Sequence, residues 1–229
     1  MAEQRVSNER KKELEQLDPF QENLLKVLSY GKEYKKQLIL IVGALVLVIV
    51  VFSGVMYSFQ KAENTAAILV SQVLTQYAEA NDPDKGYLKI KDDVKTIFTD
   101  YANTIAGKRA KVEFAKICYE ASEFDESYHY YKEALEIFKN EALMKNFLLA
   151  SLGHVSIARK EFEEAKKYFL QIEKGETGLL KDEARFSLAM LYEVDNNTAE
   201  SKKMYDKIVT DYESSMYKPI AESKLNEMK

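Results

Sequence analysis

Residues 97–104 read IFTDYANT, and residues 208–215 read IVTDYESS. Ile, Thr, Asp and Tyr recur in register, Ala110 is matched by Ala221 at the same distance, and the offset of 111 residues is three periods of 37. Two further copies lie between, aligned on aromatic and small residues: Phe124, Ser127, Tyr131 and Ala134, then Phe162, Ala165, Phe169 and Ile172. A period of this length marks a helical-hairpin solenoid, in which each hairpin leaves an apolar face that only its neighbours can cover.

Composition points the same way. Eight Gly, three Pro and no Trp, against many Ala, Leu, Lys and Glu, favour helix over a turn-rich sheet, so the expected class is all-α. From residue 58 onward, basic residues number 25 and acidic ones 30. That balance lacks the basic footprint that nucleic acid requires. Cys118 is the only cysteine, so no intramolecular disulfide can form. Set among apolar neighbours in FAKICYEA, it reads as a buried small side chain.

Upstream of the repeats runs LILIVGALVLVIVVFSGVMY, Leu38 to Tyr57, without a charge. A helix rising ~1.5 Å per residue over this stretch covers the ~30 Å core of a bilayer with its backbone groups satisfied internally. A cleaved signal sequence has a shorter apolar run near the N-terminus and a small-residue cleavage site, so this stretch reads as an uncleaved anchor. Lys26, Lys32, Lys35 and Lys36 precede it and only Lys61 follows closely. The positive-inside rule then places residues 1–37 in the cytoplasm and 58–229 across the membrane.

Residues 1–17 are polar, mixed in charge and without periodicity, and read as disordered or loosely helical. Asp18 reads as an N-cap with Pro19 opening a short amphipathic helix whose stripe is Phe20, Leu24, Leu25, Val27, Leu28 and Tyr34. After the anchor, 58–80 has no Pro or Gly, which predicts that the helix runs on into the repeat domain. The stretch 81–86, NDPDKG, is the clearest loop. Its Asp82, Asp84 and Asp93 imitate a calcium loop at positions 1, 3 and 12. Gly86 nevertheless falls at position 5 and Tyr87 at 6, where the motif needs an oxygen ligand and a glycine, so no metal site is read here.

The division is thus 1–37, a cytosolic tail with a juxtamembrane helix; 38–57, a transmembrane helix; and 58–229, the repeat domain. Repeats fall near 71–107, 108–145, 146–181 and 182–216, with a capping helix over 217–229. No phosphate loop and no nucleophile motif appears, and neither His129 nor His154 is read with an acidic or cysteine neighbour at metal-ligand spacing. The chain is expected to be non-enzymatic, with no cofactor and no metal.

The repeats resemble the tetratricopeptide repeat family over residues 71 to about 215. The third copy carries the pattern best, with Leu149, Leu152, Gly153, Phe162, Ala165, Phe169 and Ile172 at signature positions, and the first copy carries it least. Arrays of that family bind partners on the concave face of their first helices. The resemblance therefore implies a groove built from Arg109, Val112, Lys116 and Tyr119, then Phe147, Ala150, His154 and Ile157, then Glu183, Phe186, Met190 and Val194. Its centre is apolar and aromatic with a basic edge, which suits a peptide with hydrophobic anchors. The alternative is that the chain's own N-terminal or capping helix covers several of these side chains.

The layout of tail, anchor and extracytoplasmic repeats resembles the bacterial ancillary subunits of the Sec translocon. That resemblance implies a single-pass protein of the inner (cytoplasmic) membrane with a periplasmic repeat domain, scaffolding translocon subunits or periplasmic chaperones. The rival readings are an envelope-assembly or cell-division coordinator, a homo-oligomeric module whose groove is filled by a second copy, and a carrier in which Cys118 does redox work.

Overall fold

The computed structural model describes residues 19–228, and the described chain is all-helical. Asp18, read as an N-cap, and the tail 1–17 lie outside the described residues. The elements are α1 Pro19–Glu33, α2 Lys35–Glu79, α3 Pro83–Asp100, α4 Ile105–Glu120 and α5 Phe124–Ile137. They continue with α6 Ala142–Ala158, α7 Phe162–Lys174, α8 Lys181–Val194, α9 Thr198–Asp211 and α10 Lys218–Glu227. The chain forms two compact units, one up to Phe59 and one from Gln60 on. As the absence of Pro and Gly from 58–80 predicts, α2, which starts at Lys35, runs on unbroken to Glu79. Its first half is long and apolar enough to cross a membrane and is the only such stretch among the described residues.

From Gln60 the helices alternate as hairpins. The turn inside each of the later three is the same Schellman motif: a left-handed residue ends the first helix and the second helix starts two residues on. Ser122, Lys160 and Asn196 hold φ of 59°, 63° and 57°. The N–H groups of Glu123, Glu161 and Asn197 donate to the carbonyls of Cys118, Ser156 and Tyr192, each at 2.8 Å. The first hairpin departs from this pattern. Asn81 is left-handed too, and Asp82 caps α3 by accepting from the Lys85 N–H at 2.9 Å, with Pro83 in the first turn. The expected loop 81–86 is therefore shortened: Asp84, Lys85 and Gly86 are helical because the Asp-Pro pair starts the helix.

Packing follows the small residues. Ser127, Ala165 and Ser201, at equivalent places in the second helices, are fully buried, and Tyr131, Phe169 and Tyr205 fill the space four residues on. Gly153 is forced by close approach, since a Cβ there would lie 2.5 Å from Cζ of Phe169. The core has two parts. Val73, Tyr87, Ile90, Val94, Ile97, Phe114 and Ile117 join α2, α3 and α4. A larger cluster runs from Val112 to Ala221 through α4–α10. A long-range cap joins α2 to α4: the Glu63 carboxylate accepts from the N–H groups of Ile105 at 2.7 Å and Ala106 at 2.8 Å. It takes up two of the orphan donors at the α4 N-terminus and places a negative charge at the positive end of that helix. At the far end, α10 closes the array with Ala221 buried and Leu225 half-buried, while Ile220 is exposed.

Candidate functional site

Residues of successive first helices line a row of clefts. Between α2 and α4 lies a shallow cavity of about 650 Å³ lined by Ala67, Val70, Ser71 and Leu74 on one side and Ile105 and Arg109 on the other. Between α4 and α6 a cavity of about 400 Å³ is lined by Val112, Glu113, Lys116, Leu143, Met144 and Phe147 and floored by Leu179 and Leu180. Between α6 and α8 a third, about 390 Å³, takes His154, Ile157, Phe186 and Met190, with Tyr217 at its rim.

The expected groove residues fall along this row of clefts. Arg109 falls in the first, Val112, Lys116 and Phe147 in the second, and His154, Ile157, Glu183, Phe186, Met190 and Val194 in the third. Ala150 lines none of them; it is 5% exposed and part of the core, and Val112 is only 7% exposed. Both belong to the apolar cluster that runs through α4–α10, so packing inside the array covers them. Tyr119 stands at the end of α4 with its ring 5.6 Å from that of Phe124. Phe186 is partly closed off by Tyr217, whose ring stacks on it at 4.8 Å, so the capping segment does cover one groove residue. Phe147, Met190 and Val194 remain 43%, 50% and 58% exposed.

Of the two basic residues expected at the edge, Arg109 is exposed and Lys116 has an acidic neighbour. Lys116 lies 3.7 Å from Glu120, and Glu113 lines the same cleft. In the third cleft His154 Nε2 and Glu183 Oε1 are 2.8 Å apart. The histidine expectation is also corrected, because His129 Nε2 lies 3.2 Å from Glu133 Oε1, one helical turn on. No cluster of three or more His, Cys, Asp or Glu able to hold a metal occurs among the described residues. Cys118 is fully buried. Burial, and then the charges of Glu126 and Glu123, push its thiol up to about 12, which keeps it protonated and unreactive.

A sequence-family model described as a tetratricopeptide repeat-like domain matches residues 29–229. The chain belongs to this family. Tetratricopeptide repeat-like domains generally mediate protein–protein interaction, and clefts between first helices agree with that use. No curated protein matches the chain. Leu143, Leu179, Leu180 and Tyr217 were not legible as lining residues of this repeat domain. Leu179 and Leu180 come from the α7–α8 connection, where Leu180 is left-handed with φ 59°, and no helical spacing reaches them. The one signal was two leucines placed directly after Gly178.

Proposed function

We propose that the protein is a membrane-anchored, non-enzymatic adaptor whose repeat domain receives apolar anchor residues of a partner segment in the second and third clefts. The observation that carries this reading is the pairing of two cavities of near-equal size with exposed Leu143, Phe147, Met190 and Val194 at their mouths. Lys116 and His154 each have an acidic neighbour, at 3.7 Å and 2.8 Å, so the clefts offer chiefly apolar side chains and adapt through methionine and aromatic contacts. Residues 38–57 span the membrane, residues 1–37 are cytoplasmic, and the repeat domain is extracytoplasmic, as the lysine distribution supports. The layout supports a place at the bacterial inner membrane, next to export machinery or envelope chaperones.

The test is in-cell photocrosslinking from Phe147 and Met190, with Asp206 on α9 as the control position. Adducts from the two cleft positions to another membrane or envelope protein, absent from Asp206, are the expected result. Adducts only between copies of this chain would replace the adaptor with a self-assembling module, and equal adducts from all three positions would remove the clefts from the account.

A further inference from the structure

Helix α1 carries an apolar face that the fold leaves bare. At roughly 100° per residue, Leu24, Val27, Leu28, Tyr30 and Tyr34 fall within an arc of roughly 160°, and Glu22, Lys26, Ser29 and Glu33 occupy the opposite side. All five of those apolar side chains are between 44% and 68% exposed. Lys26 is paired with Glu22 at 2.8 Å, whereas Lys32, Lys35 and Lys36 form no ion pair among the described residues. One residue, Tyr34, separates α1 from α2, and the Tyr30 and Tyr34 rings stack at 6.4 Å beside that junction.

We propose that α1 lies on an anionic lipid surface, on the side of the membrane from which residues 38–57 enter it, with Leu24, Val27 and Leu28 turned into the acyl boundary. The placement rests on the proposed span. A helix tied to a span by one residue is held at headgroup level, where an apolar stripe and amphipathic tyrosines are at home. The unpaired lysines gather at the same junction, and anionic headgroups complement them. A second copy is a poorer occupant, because neighbouring spans of one orientation would bring two such lysine clusters together.

The experiment places single nitroxide labels at Leu24, Ser29 and Val46 of the full chain in vesicles of phosphatidylcholine with and without phosphatidylglycerol. Accessibility is read with oxygen and with a polar nickel chelate. With phosphatidylglycerol present, Leu24 is expected to be oxygen-accessible and chelate-shielded, and Ser29 the reverse. K32Q/K35Q/K36Q should lower the ratio of docked to free helix by roughly five-fold per lysine. Val46 open to the chelate would remove the span, and the proposal with it. Val46 shielded while Leu24 and Ser29 are equally chelate-accessible would overturn the α1 placement alone, as would dipolar broadening between Leu24 labels on two copies.

Discussion

The stretch Leu38–Tyr57 and helix α6 are both strongly apolar, one without charges and the other with Lys145 as its single Lys, Arg, Asp or Glu. In the first, the large side chains from Leu38 to Val51 all face outward. In α6, Leu148, Leu149, Leu152 and Val155 are each 1% exposed or less. Hydropathy alone does not separate them; length and neighbours do. At 17 residues α6 sits at the lower limit for a span, and its small and polar residues fit protein. Asn146 Nδ2 donates to Thr177 Oγ1 at 2.9 Å and to the Leu179 carbonyl at 3.0 Å, and the Phe169 ring occupies the space a Cβ on Gly153 would take. Gly43 and Gly54 meet nothing within 4 Å. One apolar helix is solvated by the fold, and the proposed solvent of the other is lipid.

The largest effect that would break this contrast is cavity formation. Phe169→Ala should lower the unfolding free energy of the repeat domain by about 3–5 kcal/mol, read from denaturant midpoints of the full chain in detergent. Phe52→Ala should leave that midpoint unchanged. Next comes overpacking: Gly153→Ala should cost about 1–3 kcal/mol because the Phe169 ring is enclosed, against less than about 0.5 kcal/mol for Gly43→Ala.

These contrasts also show what the sequence could convey. The period and the small and aromatic positions Ser127, Tyr131, Gly153, Ala165 and Phe169 were legible because helical spacing fixes which residues share a face; that the Phe169 ring lies on Gly153 was not. The burial of Val112 and Ala150 was not, because spacing does not say which neighbouring helix covers a face. Ser122 and Lys160 gave no turn signal, since left-handed positions are expected to hold glycine or asparagine. The Glu63 cap links residues 42 and 43 apart by hydrogen bonds to backbone that any sequence would offer.

A smaller effect tests that cap. Glu63→Gln keeps the shape and removes the charge at the α4 N-terminus, and should cost about 1 kcal/mol, with faster amide exchange at Ile105 and Ala106. The mildest perturbation is pH, acting on the unit from Gln60. Burial alone would raise the Glu173 carboxyl, but hydrogen bonds from Arg185 and Lys207 outweigh it and hold it below its ordinary 4.5. A depressed carboxylate contributes stability above its unfolded value that is lost as pH falls through the folded one, so the midpoint should hold at neutral pH and drop below about pH 4.5. Tyr77 and Tyr131 are pushed up to about 12, chiefly by burial. The stability they lend is present below pH 10 and lost between about 10 and 12.

The claim beneath all of these is that one chain uses two solvents, with the boundary near Phe59. The measurement that tests it most directly is to purify residues 60–229 in buffer without detergent, beside the full chain, and compare their unfolding. The account expects the fragment to be monodisperse and to unfold cooperatively with the same midpoint, while the full chain needs detergent or lipid. A fragment that aggregates or unfolds without residues 1–59, or a full chain that stays monomeric without detergent, would contradict it.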